Sequence, residues 1–271
     1  MSVKVIESNN KIFEVVSSLR TVFEPKTCEL LEIRDIIRNG VQGLVVEENE
    51  ILAIEFTDNT RVDSLYDIEN VLIYNIGTGL FSSLTANGLV FQKKEATIEE
   101  FDYHYKYSII SSQNIVETNE KTIAYFNDII FENRLTSYKA TSFWKAIKES
   151  AKRIVVIDRI KSEKPYGFSI NLSIPKNSKM NLATIIKPFL DGLISALHEA
   201  DFTNEEALSI SKKIGISADL IMENCCDVLW KRKYYKGRAW NPADEYCTKV
   251  IVSVTTSNDN NSHLSGTIFV R

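Results

Sequence analysis

Histidine, cysteine, proline and glycine are all scarce in this chain. Its 271 residues include three histidines, four cysteines, five prolines and ten glycines. His104, His198 and His263 are too few and too dispersed to suggest a metal site. Cys28, Cys225, Cys226 and Cys247 show no CxxC spacing, which argues against a zinc corner or a disulfide framework. The adjacent pair Cys225 and Cys226 reads instead as buried thiols. With so little proline and glycine, the chain is neither low-complexity nor collagen-like. No stretch approaches the ~20 apolar residues of a membrane helix, so no membrane partner is expected. No GxGxxG, P-loop or GxSxG occurs. The opening MSVKVIESNNKIFEVV lacks the charged-then-apolar layout of a signal peptide. A reducing, cytoplasmic setting is the expectation.

What is present is typical of a globular protein. Hydrophobic residues make up 44% and charged residues 25%, enough for one large domain or two ordinary ones with a sizeable core. A net charge of −4 argues against general affinity for nucleic acid and leaves room for a local basic patch.

Taken in order, Ile12, Val15, Val16 and Leu19 fit a first amphipathic helix. Cys28, Leu31, Ile36 and Ile37 fit a second, ended near Asn39 and Gly40. GLVVEENEILAIEF reads as a hairpin turning at Glu48, Asn49 and Glu50. DIENVLIYNIGTGLFSSL suggests short helices broken at Gly77 and Gly79, and GLVFQKK and HYKYSII follow as strands. Residues 1–110 thus form a candidate α+β domain, and polar 111–120 a linker. The second half, 121–271, opens with a helix candidate over 121–134 and a second over 143–152. RIVVIDRI and FSINLSI then read as strands, 205–214 as a further helix, and VIVSVTT and GTIFVR as the closing strands. The string Asp67-Ile68-Glu69-Asn70 sits at a predicted helix start. There, carboxylates oppose the helix dipole, or else they mark one copy of a duplicated acidic unit.

The most patterned stretch is NLATIIKPFLDGLISALH, residues 181–198. Ile186, Phe189, Leu190, Leu193 and Leu197 share one helical face, which predicts a stripe buried against a sheet. Lys187, Asp191 and Ser195 line the next face at four-residue steps. Pro188 lacks an amide hydrogen, so the regular helix either starts or kinks there, with Thr184 a fair N-cap for an earlier start. His198, near the C-terminal end, reads as a helix-dipole cap.

The order of strand, short polar turn and apolar helix resembles the "DxDNxxK…D(A/G)L" pattern of RusA-type Holliday-junction resolvases. Asn181, Leu182, Ala183 and Thr184 fall on that family's Asp-x-Asp-Asn, Lys187 on its lysine, and Asp191-Gly192-Leu193 on its Asp-Ala-Leu. SFWKAIKESAKRI resembles the preceding helix, and WNPADEYCTKVIVSV the "W-x-D-D-x-x-V" before the next strand, with Asp244 and Glu245 near the acidic pair. The resemblance covers residues 138–255, with an insertion at 199–238. It implies an α+β protein whose second domain is a RusA-like α/β domain with a mixed sheet. It also implies divalent metal held by carboxylates for phosphodiester hydrolysis. Here the acids are replaced by neutral Asn181 and by Ala183, which has no ligand atom.

Asp191, Asp244 and Glu245 are the remaining candidates for Mg²⁺ ligands, with Lys187 beside them as a catalytic candidate. The alternatives are a Lys187–Asp191 surface pair and a solvated loop. The other candidate site is VLWKRKYYKGRAW, residues 228–240, which carries five cations, four large aromatics and no acid. Lys231, Arg232, Lys236 and Arg238 would hold phosphates, and Tyr235 and Trp240 would stack on exposed bases. Two other roles fit the same composition. One is an edge hairpin protected by lysines, and the other is a protein-binding surface, since Trp, Tyr and Arg dominate interface hot spots. The expected function is nucleic-acid binding by a catalytically inactive RusA-like protein, in prokaryotic DNA processing or defence against mobile elements. An active divalent-metal-dependent endonuclease and a protein-interaction subunit without nucleic-acid contact are the alternatives.

Overall fold

The structure is a computed structural model. It describes residues 3–60, 66–96, 100–115, 120–132, 135–178, 180–200, 202–223, 226–232 and 243–270. The first elements are β1 (Val3–Ser8), β2 (Ile12–Ser17), α1 (Cys28–Gln42), β3 (Glu50–Asp58), β4 (Gly88–Lys94) and β5 (Tyr103–Ser111). They are followed by β6 (Lys121–Phe131), α2 (Ala140–Glu149), β7 (Ile154–Val156), β8 (Tyr166–Pro175), α3 (Leu182–Leu197) and β9 (His198–Ala200). The last are α4 (Asn204–Ile214), α5 (Ala218–Met222), β10 (Leu229–Arg232), β11 (Cys247–Ser257) and β12 (Ser262–Val270). The class is α+β with mixed strand pairing. The chain forms two compact units. The first comprises Met1–Asn119, Lys179–Thr184 and Cys247–Val254, and the second Glu120–Ser178, Ile185–Tyr246 and Thr255–Arg271. No helix among the described residues is long and apolar enough to cross a membrane.

In the first unit the strand order is β1-β2-β5-β3-β4-β11. Among its described residues only β3 and β4 run parallel, because the chain between them crosses over through helical turns at Asn70–Tyr74 and Thr78–Phe81 instead of a hairpin. Gly77 opens the second of those turns at φ 120°, a conformation that glycine adopts without strain. One sheet face buries Phe13, Phe56, Tyr105 and Tyr107, with Phe13 lying against Gly40 of α1, whose N-cap is Thr27. The stretch that the sequence suggests as a first helix is instead strand β2. Apolar Ile12, Val15, Val16 and Leu19 satisfy a helical template, but β2 is paired on both edges, to β1 and β5. β-Branched residues fit that half-buried pleat well. The expected hairpin over 43–56 is also absent. Residues 43–49 form no strand, and β3 pairs with β4 and β5.

The second unit has the order β8-β12-β6-β7, all antiparallel, with β9 and β10 forming a separate parallel pair. The expected helix at its start is the eleven-residue strand β6. Asp128, at φ 54°, breaks the strand's inward–outward alternation, so the sequence loses its period of two. RIVVIDRI contributes only the short β7. Of the proposed linker, 112–114 form a helical turn, and 116–119 lie outside the described residues.

Helix α3 starts at Leu182 and runs through Pro188 without a break. Proline leaves the carbonyl four residues earlier without its helical donor. That carbonyl belongs to Thr184, and the Tyr74 hydroxyl donates to it at 2.7 Å. The predicted stripe of Ile186, Phe189, Leu190, Leu193 and Leu197 is buried. Ile185, Ile194 and Ala196 are buried too, so the helix is covered nearly all round except along Thr184, Lys187, Pro188, Asp191 and Ser195. Gly192 is where α2 comes closest. A Cβ there would lie 2.4 Å from the Ala140 carbonyl oxygen and 2.6 Å from Phe143 Cβ. Gly192→Ala is therefore expected to lower stability by about 1–3 kcal/mol despite alanine's better helix propensity, since one helix must shift. Urea titration of the two proteins measures this, and a gain in stability would show that the helices do not press at this point.

Candidate functional site

Two of the candidate carboxylates meet at one lysine. Helix α3 sets Lys187 and Asp191 one turn apart, and the Lys187 ammonium donates to Asp191 Oδ1 at 2.9 Å. The same ammonium donates to Asp244 Oδ2 at 2.8 Å. The Asp244 side chain is only 9% exposed, so this pair is shielded from water in a way that the Lys187–Asp191 pair alone would not be. Glu245 follows half-buried on the same short helical turn, Asp244–Tyr246. Ala183 is fully buried and offers no ligand atom. The buried Asn181 Oδ1 has no hydrogen-bond partner among the described residues. Chemically, the lysine ammonium occupies the place between Asp191 and Asp244 that a divalent cation would take, although its single charge offsets only one of the two carboxylates.

The turn carrying Asp244 is fixed from behind. The Tyr166 hydroxyl donates to the Ala243 carbonyl at 2.9 Å, and the Ala243 amide donates to His198 Nε2 at 3.2 Å. The other ring nitrogen of His198, Nδ1, lies 2.8 Å from the Trp230 carbonyl oxygen. An amide hydrogen on one side and a carbonyl on the other admit a single arrangement, the neutral ring with its proton on Nδ1. His198 is thus no helix cap. It is buried and ties Trp230 to Ala243. Long-range ¹H–¹⁵N spectra at neutral pH should show the Nδ1–H tautomer, and an Nε2–H signal would contradict the bridge.

Trp230 anchors the start of the basic-aromatic stretch. Its ring packs edge-on against Tyr166, His198 and Tyr246, with centroids at 6.2, 5.3 and 5.3 Å. Two residues earlier, Val228 bonds through its amide to Leu197 and through its carbonyl to Ile160. Asp227 and Lys148 are each 1% exposed, with the ammonium 3.7 Å from Asp227 Oδ1. Burial pushes the Asp227 carboxyl up to about 6, and nearby Lys148 partly offsets that rise. Lys231 and Arg232 follow on β10, with Arg232 in register with Ala200 of β9. Tyr235, Lys236, Arg238 and Trp240 lie outside the described residues, as does Cys225.

Lys187, Asp191 and Asp244 were all legible as candidates, and the Lys187–Asp191 pair by its spacing, but nothing in the sequence placed Asp244 on the same ammonium. The Lys148–Asp227 pair was missed, although a signal for it exists. Lys148 shares its helix face with Phe143, Trp144 and Ile147, and Asp227 precedes the apolar run Val228-Leu229-Trp230. No comparable signal marks His198 as a bridge.

No family model matches this chain, and no curated protein matches it. A solved structure described as "Cyanuric acid hydrolase: evolutionary innovation by structural concatenation" is similar to it at 9% identity and a TM-score of 0.19. The alignment covers 100% of this chain and 68% of the other. A likeness at that score carries no argument.

Proposed function

We propose that this chain binds nucleic acid through β10 and the basic-aromatic stretch that follows, and does not hydrolyse it. The observation that carries the reading is the bridge made by His198. One buried ring holds both flanks of the stretch, Trp230 and Ala243, so its ends are fixed before any ligand arrives. Fixing a binding segment in advance lowers the ordering cost of association. Cations on such a frame would contact phosphates, as aromatics interleaved with them would stack on unpaired bases. Inactivity is supported by Lys187, whose ammonium donates to both carboxylates and stands where a metal would sit between them, and by Ala183 at a position where the RusA-type pattern has an acid. The order of β8, turn and α3 agrees with that pattern, and on this resemblance the reading extends to a RusA-like protein that has lost hydrolysis.

Gel shifts with single-stranded, duplex and branched DNA, and with RNA, test the proposal. Lys231→Ala and Arg232→Ala should each weaken binding alike across sequences and lower the salt slope by roughly one unit, as lost phosphate contacts do. Mg²⁺ and Mn²⁺ should produce no cleavage. Cleavage that vanishes in Asp244→Ala would overturn the inactive reading. An absence of binding at tens of micromolar, where non-specific complexes already form, would overturn the nucleic-acid reading in favour of a protein partner.

A further inference from the structure

The first unit contains a cavity of about 380 Å³ whose wall combines cation, aromatic face and amide. Pockets that enclose small ligands begin at roughly this size. Its cation is Arg20, stacked 4.1 Å from the centre of the Tyr66 ring. Among the described residues that guanidinium has neither a hydrogen-bond nor an ion-pair partner, so its N–H fork is held in place but unused. A planar fork of this kind matches a phosphate or carboxylate in two-point contact. The ring beneath it is fixed in turn, because the Tyr66 hydroxyl donates to the buried carboxylate of Asp58. Lys93 lies 5.0 Å from the centre of the same ring and adds positive charge nearby.

The segment that presents Arg20 is tied down at three points, all on Thr21. Its amide donates to the Tyr105 hydroxyl at 3.0 Å, its hydroxyl donates to the Val71 carbonyl at 2.8 Å, and its carbonyl accepts from Asn75 at 3.0 Å. Two residues further on, Phe23 lines the cavity while 70% exposed. A phenyl ring left in water on a rigidly tethered segment suits stacking against a flat ligand. Asp67 and Asn70 also line the cavity, and the Asn70 amide donates to Asp67 at 2.6 Å, so carboxylate oxygens are available there to hydroxyl or amino donors of a ligand.

The geometry points to a site for a nucleoside monophosphate in the first unit, with the phosphate on Arg20, the base against Phe23, and the sugar hydroxyls or base edge facing Asp67 and Asn70. Each part of such a ligand meets one complementary group. An aromatic amino acid would also find a cation, an anion and a ring, but it would fill a smaller share of the cavity. The assignment does not rest on the reading given to the stretch around β10.

Calorimetric titration of the full chain with the four ribonucleoside 5′-monophosphates, their nucleosides, and inorganic phosphate is the test. A monophosphate should bind at least tenfold more tightly than its nucleoside or phosphate alone. Arg20→Gln should erase the advantage of the monophosphate over the nucleoside, about tenfold or more for a charge-assisted contact, and leave nucleoside binding in place. Phe23→Ala, at an exposed position where folding is not at risk, should weaken nucleoside and monophosphate alike by several-fold. Monophosphate binding unchanged in both variants, or no heat from any monophosphate at millimolar concentration, would overturn the assignment. Phosphate alone binding as tightly as the monophosphates would overturn the role given to the ring. Tighter binding of phenylalanine or tyrosine than of any monophosphate would replace the ligand class.

Discussion

Lys148→Met is expected to lower the unfolding free energy by about 3–5 kcal/mol at pH 8, because it strands the buried carboxylate of Asp227 without its counter-charge. Both Asp227 oxygens already lack a hydrogen-bond partner among the described residues, and the other cation that favours its charged form, Arg159, acts more weakly than Lys148. The loss should depend on pH with a definite sign. The folded chain holds a proton on Asp227 up to about 6, whereas the ordinary value is 3.8. A group raised in this way contributes its stability below the unfolded value, and the contribution fades as pH rises through the folded one. Removing Lys148 removes the influence that lowers the folded value, so it extends the range over which the charged form is penalised. Denaturant titrations at about pH 4.5 and pH 8 should therefore give a small loss at the first and the full loss at the second. The double variant Lys148→Met with Asp227→Leu should recover most of the difference, since an apolar pair of similar volume replaces a buried ion pair at little cost. An equal loss at both pH values, with no recovery in the double variant, would mean that the fit of the side chain in its site matters and the charge pairing with Asp227 does not.

Leu193→Ala should cost about 2–5 kcal/mol, the range for emptying a fully buried leucine site. Its place on α3 makes the upper half of that range the better expectation. The neighbouring Gly192 already brings the Ala140 carbonyl oxygen against the helix backbone, so the surroundings have little freedom to collapse into the void. Leu193→Met, which nearly conserves volume, should cost less than about 1.5 kcal/mol. A loss under about half a kilocalorie for the alanine variant would place this face of α3 in solvent.

The same helix shows how far pattern alone reaches. Five apolar residues at helical spacing identify a face, and all five are buried. The i,i+4 step likewise announces the Lys187–Asp191 pair. Strands β4, β5, β8, β11 and β12 were legible from alternating or β-branched runs ended by turn residues. β2 and β6 were not, for two different reasons. In β2 the apolar positions satisfy both periods, and only the partners on either edge decide between them. In β6 the irregular residue Asp128 shifts the alternation, so a window that spans it matches neither template cleanly.

The sites divide along the same line. Residue type and local spacing, fixed by the chain alone, made Lys231, Arg232, Lys187, Asp191 and Asp244 candidates and showed that Ala183 has no ligand atom to offer. They also determined the α+β class, since local periodicity sums to helices and strands without reference to partners. Tertiary structure decided which groups meet. It brought Asp244 to Lys187, set His198 between Trp230 and Ala243, buried Lys148 against Asp227, and laid Arg20 on Tyr66. Each of these contacts joins residues far apart in sequence. Its strength depends on burial, dielectric and the direction of a donor, and none of these has a value until the chain is folded.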